Sequence, residues 1–463
     1  PSLNRFAISM HTQFSAQEMP HSKRENYRLS AYEKVFVIMA CFMPLEIYNV
    51  RLVFNWSVDR LLLGILIVGL PFYLSKRGLK AGFPLVLAGF GIGSLMLSVV
   101  GGDGLDSYAV RFLPSIFQGY VLFAVGALVF KNNPKSIKMA VIIGLVWAVI
   151  FAGFSAWMLF YYYVQGTTAV PFPFIGYISD FDVHKLNQML GRRLFMPLAS
   201  APHLGACCGF FAVFFLTIYL YSKRRLALLG SAVLIVIAIL TLSRGPLLAV
   251  AVGLVLLFGV GVSLKVVKLD ARIFTVFLLF VVVAGGVQGY KAFQTEKVGK
   301  ATASRLTIDL DEMQYSRHLQ LRLFAFELFA QGSVSEVIVG QGFGAFEKTG
   351  IGAYSFASYL TLMVETGLTG MTIFLVALIY PTVRAWLRFR SCRRREIWYF
   401  FAFVLGVFLF LSHSFYELKS LGLLWVALSL VYGISESKPA VLRIAGDWVL
   451  PPGMRKNFVH VTR

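Results

Sequence analysis

Arg244 lies in TLSRGPLLAV, with an apolar run on each side and almost no loop around it. A guanidinium left unpaired there is costly, so it either snorkels to lipid headgroups or serves an anion. Gly245 permits a tight turn, Pro246 suits the start of a helix, and Ser243 can cap that helix. An arginine beside a helix N-terminus makes a seat for a phosphate-like group. Arg192 and Arg193 form a second basic position in GRRLFMPLASAPHLG. Arg322 forms a third in SRHLQLRLFAFELFA, near His318 in helical spacing. Leu319, Leu323, Phe326 and Ala330 fit one apolar stripe, which predicts an amphipathic helix resting on a membrane with Arg322 on its polar side. Arg322 then meets a headgroup or pyrophosphate, or pairs with Glu327 or Glu365.

Proton transfer has its own candidates. His413 and Glu417, in LSHSFYELKS, share a face at i and i+4 if the helix persists, and such a pair can deprotonate a hydroxyl. The alternative is a capping cluster in which Lys419 pairs with Glu417. Glu365, in VETGLTG, is the competing carboxylate. Asp180, Asp182 and His184 place three metal-type ligands in five residues, beside Lys185 and ahead of His203, but ordinary loop polarity accounts for them. No metal and no cofactor are expected. GQGFG at Gly340 to Gly344 has the wrong glycine pattern for a dinucleotide fingerprint. It predicts a tight turn that brings backbone close to something.

The elements that hold these residues are apolar. Of 463 residues, 58% are hydrophobic and 14% charged. The mean hydropathy is +0.73. A soluble domain carries about 25% charged residues, so a water-soluble enzyme is excluded, as is a long disordered chain. Runs of membrane-spanning length centre near Ala40, Leu66, Gly91, Leu122, Val149, Phe211, Val233, Val252, Leu279, Leu375, Val404 and Leu424. The segment around Tyr359 reads as a surface or re-entrant helix. The expected fold is an all-α polytopic membrane protein of about twelve transmembrane helices. A cytoplasmic tail is expected over 1–32, one transmembrane domain over 33–433, and a cytoplasmic tail over 434–463. Long outer loops are expected over about 164–202 and 290–352, the second with amphipathic helices. The polar stretch before Glu33 does not read as a cleavable signal peptide.

Charge supplies the orientation. The net charge is +21. Basic clusters at Lys76–Lys80, Lys131–Lys138, Lys223–Arg225, Lys265–Arg272 and Arg384–Arg395 all fall on the side of both termini when twelve spans are drawn. That side holds the whole net charge and the other side sums to zero. By the positive-inside rule the basic side is cytoplasmic. Anchoring and orientation explain these clusters, and nucleic acid is not an expected partner.

Four pieces, in this order, carry a resemblance: GRRLFMPLASAPHLG, LTLSRGPLLA, the run from Arg322 to GQGFGAF, and SYLTLMVETGLTG. Over roughly Gly191 to Gly370 the chain resembles the O-antigen polymerase and ligase (Wzy/WaaL) superfamily of bacterial envelopes. The resemblance implies a GT-C-like membrane glycosyltransferase that needs neither metal nor nucleotide. It implies a glycan donor on undecaprenyl pyrophosphate, a site on the periplasmic face of the inner membrane, and for a polymerase a lipid-linked acceptor repeat unit. A chain-length regulator is an implied partner. Arg244 and Arg322 match the pyrophosphate-contacting arginines, and Arg192 or Arg193 the third basic position. Ligases carry a His-Asn pair where this chain has Phe356 and Ala357. That departure favours a polysaccharide polymerase over a ligase to lipid A core using another base, such as His413. A transporter of lipid-linked glycans is the reading from a different class, but no half-repeat is evident.

Overall fold

The computed structural model describes residues 29–42, 58–77, 82–102, 104, 107–133, 135–165, 194, 201–241, 243–267, 274, 275, 278, 282, 317–350, 358–414 and 418–437. Among these the protein is all-helical, without a strand. The helices are α1 (Ala31–Phe42), α2 (Val58–Arg77), α3 (Phe83–Gly101), α4 (Ser107–Asn132), α5 (Lys135–Tyr163), α6 (Ala201–Ser222), α7 (Arg225–Leu240) and α8 (Arg244–Leu254). A π-helical turn, Val255–Val260, and a short helix, Gly261–Ser263, prolong α8. Then follow α9 (Arg317–Ala330), α10 (Val334–Val339), α11 (Ala345–Lys348), α12 (Ser358–Cys392), α13 (Arg395–Ser414) and α14 (Leu418–Glu436). Eleven of the expected span centres lie inside these helices, and Leu279 lies outside the described residues. Tyr359 and Leu375 lie on opposite sides of the Gly367 kink that divides α12.

Among the described residues, four helical stretches are long and apolar enough to cross a membrane: Phe83–Gly101, Lys135–Tyr163, Leu204–Ser222 and Tyr359–Cys392. The exposed faces agree. Val68 and Phe72 on α2, Phe90 and Val100 on α3, and Val149 on α5 are each at least 65% exposed. Large apolar side chains displayed at many helix turns suit hydrocarbon and would be a liability in water. The protein is membrane-embedded.

Small residues set the closest contacts, as expected where backbones must approach without a hydrophobic drive between helices. Gly119 faces Trp425, Gly126 faces Ser429, and Gly433 faces Phe130. Both series rise together, so α4 and α14 run parallel. Phe83 stacks on Tyr380 at 3.9 Å between ring centroids, while Gly101 and Gly102 at the other end of α3 meet Val339 and Gly342. Helix α3 is thus antiparallel to α12.

The polar ties lie at one end of the bundle. Glu33 is fully buried, and its carboxylate accepts from the Ser30 N–H (2.8 Å), Asn133 Nδ2 (2.9 Å), Tyr73 hydroxyl (3.0 Å) and Arg77 (3.1 Å). Ser30 Oγ in turn accepts from the Glu33 N–H at 3.3 Å, so the two residues close a capping box at the start of α1. Arg384 Nε donates to Glu436 at 2.7 Å, Arg394 to the Ser437 carbonyl at 3.2 Å, and Ser437 Oγ to the Lys131 carbonyl at 3.3 Å. These bonds gather Arg77, Lys131, Arg384 and Arg394 at one end, where the expected inner clusters belong. Lys223 and Arg393 end α6 and α12 with φ of 56° and 49°. Glycine usually fills that left-handed position. Each basic side chain instead lies over the ring four residues earlier, Tyr219 and Phe389. A cation there also complements the negative end of the helix dipole.

Candidate functional site

The end of the bundle opposite those polar ties carries the backbone of Arg244 and His413 and the turn at Gly340–Gly344. Helix α8 begins at Arg244, with Ser243 as its N-cap in extended conformation. The expected side-chain cap is not made. The Ser243 hydroxyl donates instead to the Thr241 carbonyl at 3.4 Å. The first turn of α8 therefore keeps its N–H groups uncapped by Ser243, which favours a negative group there.

Helix α8 packs on α13 and α6. Gly261 meets Trp398, and the Tyr399 hydroxyl donates to the Val266 carbonyl at 3.3 Å. The far end of the α8 segment therefore meets the start of α13, and the two run antiparallel. Arg244 is 17 residues from Gly261 and His413 is 15 residues from Trp398. At 1.5 Å per α-helical residue, and less through the π-helical turn, these are rises of at most about 25 and about 22 Å. The backbone brings Arg244 and His413 to the same depth within one turn. Both side chains, and Glu417, lie outside what is described.

Beside the second basic position, Leu194 is the described residue, and it lies at this end. Leu194 follows Arg193 in the chain, is 1% exposed, and its N–H donates to the Leu240 carbonyl at 3.4 Å. Leu240 ends α7, four residues before Arg244. Arg192, Arg193, Asp180, Asp182 and His184 lie outside the described residues, as does the side chain of His203.

Arg322 sits in another unit. Helix α9 packs on α12 and α10, and a small core joins Leu321, Ala325, Phe346 and Val364. The packed face of α9 is thus Leu321 and Ala325, with Phe324 and Leu328 beside them. The expected apolar stripe lies on the opposite, outward face, where Leu323 is 62% and Phe326 60% exposed. This helix carries apolar residues around most of its circumference, so spacing alone cannot choose which face meets protein. The outward face remains free to meet lipid. Arg322 borders the packed face rather than standing on an open polar one; it is half-buried, with its Nε buried.

The GQGFG turn does bring backbone close, as expected, and its partner is α12. Gly340 has φ +99° and abuts the backbone of Glu365 and Thr366. Gly367 has φ +63°, kinks α12, and abuts Gly340 and Ile338. A side chain at either glycine would collide with main chain. The Gln341 N–H donates to the Val364 carbonyl at 2.9 Å and the Gly342 N–H to the Glu365 carbonyl at 3.2 Å. Glu365, 2% exposed, accepts from the Gly344 N–H through Oε1 at 2.9 Å. This geometry gives Glu365 the work of holding the turn.

Three contributors were missed in the sequence. Ser98 Oγ donates to the Val339 carbonyl at 2.9 Å and ties α3 to the turn. Gly102 lets α3 approach Gly342. Ser333 and Glu336 form a capping box at the start of α10, with the two hydrogen bonds at 3.4 and 2.6 Å. Its S-x-x-E spacing was a readable signal. Hydrogen bonds from Ser333 hold the Glu336 carboxyl below its ordinary range. Comparison with protein-family models and with curated protein sequences finds no match to this chain.

Proposed function

We propose that this protein is a bacterial surface-polysaccharide polymerase of the O-antigen polymerase and ligase type. It spans the inner membrane about twelve times in a GT-C-like arrangement, with both termini cytoplasmic. The basic end of the bundle faces the cytoplasm and the end bearing Arg244 faces the periplasm. The reading rests chiefly on one relationship: counted by helix rise from the Gly261–Trp398 contact, Arg244 and His413 fall within about one turn of the same depth on antiparallel helices α8 and α13. The four motif pieces also pair in space. Leu194 of GRRLF bonds to Leu240 of LTLSRG, and Gly344 of GQGFG bonds to Glu365 of VETG.

The chemistry follows from those placements. A donor glycan on undecaprenyl pyrophosphate carries an activated anomeric carbon. An acceptor hydroxyl oxygen attacks it, forming the new glycosidic bond while the bond to the pyrophosphate oxygen breaks. Negative charge grows on the departing pyrophosphate. Arg244, Arg322 and one of Arg192 and Arg193 stabilise it, together with the first turn of α8. The hydroxyl proton passes to His413, with Glu417 as its supporting carboxylate. Glu365 acts as a positioning residue. A single displacement inverts the anomeric configuration.

The test is the length distribution of the surface glycan in a deletion strain complemented with Arg244→Ala or Arg322→Ala. Single-repeat glycan on an intact core supports the reading. Normal long chains in both variants would sink the assigned roles. Complete absence of glycan from lipid A core would point to ligation.

A further inference from the structure

Between Arg384 and Arg395 the chain carries six arginines and no lysine. Orientation accounts for the charge of this cluster but not for the choice of arginine. The positive-inside rule counts both cations alike, and the cluster at Lys131–Lys138 uses only lysine. Arginine differs by presenting a planar fork of donors that matches the oxygens of a phosphate.

The protein's own acceptors take up part of this set. Glu436 receives Arg384 at 2.7 Å and Arg388 at 3.8 Å. The Arg393 guanidinium lies 6.0 Å from the centre of the Phe389 ring. Arg394 donates through Nη1 to the Ser437 carbonyl at 3.2 Å. Its Nη2 is shielded from solvent and meets no acceptor among the described residues. A shielded charged donor without an acceptor is costly, so this nitrogen favours an anionic oxygen brought from outside the bundle. Arg390 and Arg395 are exposed, and Glu396 is the acid beside them in the first turn of α13.

The neighbouring surface decides which anion suits these donors. Ile379, Val383 and Leu387 are 53%, 47% and 53% exposed and succeed one another a turn apart along α12. Arg390 continues their stripe on the same face. In a membrane-embedded protein that stripe meets hydrocarbon. A soluble anion would use the arginines and leave the stripe bare. A phospholipid of negative charge uses both, and basic clusters at the inner ends of membrane helices attract such lipids.

We infer that the α12–α13 turn is a binding site for an anionic phospholipid, with its phosphate held by Arg390 and Arg394 and an acyl chain laid along Ile379, Val383 and Leu387. The site lies at the basic end of the bundle, away from Arg244, and is independent of the polymerase reading. Only its assignment to the cytoplasmic leaflet rests on the orientation proposed above.

The experiment uses the full chain in detergent micelles doped with dioleoyl phosphatidylglycerol or dioleoyl phosphatidylcholine, with bound lipid read by native mass spectrometry. Phosphatidylglycerol should bind at least about tenfold tighter than phosphatidylcholine. Arg390→Gln should weaken phosphatidylglycerol about tenfold and leave the melting temperature unchanged, because Arg390 is exposed. Arg394→Lys keeps the charge, loses the fork, and should weaken the lipid similarly. Lys76→Gln removes the same charge from the exposed end of α2 and should change binding by less than about twofold. Glycerol phosphate, the headgroup without its chains, should not displace the lipid. Equal binding of the two lipids, undiminished binding in Arg390→Gln, an equal loss in Lys76→Gln, or displacement by equimolar glycerol phosphate each overturns the inference.

Discussion

Glu365 and Gly344 are joined across 21 residues by a hydrogen bond from the glycine N–H to the glutamate Oε1, 2.9 Å long and buried. This bond converts a carboxylate that resembles a general base in the sequence into the fastening of a turn. The two roles predict opposite behaviour for an amide. Glu365→Gln keeps an acceptor oxygen and should retain most polymer synthesis. Glu365→Ala leaves the Gly344 N–H without it and should cost about 1–3 kcal/mol of stability. Loss of synthesis in Glu365→Gln with an unchanged melting temperature would return Glu365 to proton transfer.

The kink beneath that fastening depends on two glycines in the left-handed region. Gly340→Ala and Gly367→Ala each add a strained conformation worth about 1–3 kcal/mol and a collision with main chain. Both should lower the melting temperature in detergent more than Gly153→Ala, which meets open space. Equal melting of the three would show that the turn is not docked on α12.

At the basic end, Glu33 is the common acceptor for α1, α2 and the end of α4. Glu33→Ala strands the buried Asn133 amide and the Tyr73 hydroxyl, at about 2–4 kcal/mol in total. Arg77 is 38% exposed and can turn to water, so it adds little. Glu33→Gln should be milder. Thermal unfolding of the three proteins checks the order.

Sidedness follows from exposed positions at the two ends. Cys392 is exposed beside Arg393, whereas Cys207 and Cys208 are buried. In intact cells carrying Cys41→Ala, a membrane-impermeant maleimide should miss Cys392 until the membrane is opened. A cysteine placed at exposed Lys348, Lys348→Cys, should react without opening. The reverse pattern would invert the orientation drawn from charge.

Much of this organisation was legible in the residues. Apolar runs marked the helices because hydrocarbon tolerates no long polar stretch. Basic clusters marked one end, and the contacts of Arg77, Lys131 and Arg394 gather there. GQGFG announced a close approach, but its partner was hidden because Glu365 is adjacent to it only through the fold. The packed face of α9 was hidden for another reason. Leu321 and Leu323 are equally apolar, and only the position of Val364 selects the first.

The most direct test of the account is chain extension by the purified protein in vesicles supplied with a polyprenyl pyrophosphate-linked repeat unit and no metal or nucleotide. The account predicts a ladder of products longer than one repeat, with one polyprenyl pyrophosphate released per bond formed. It also predicts that both Arg244→Ala and His413→Ala, the paired positions on α8 and α13, abolish the ladder. Movement of the lipid-linked unit across the vesicle membrane with no product longer than one repeat would contradict it.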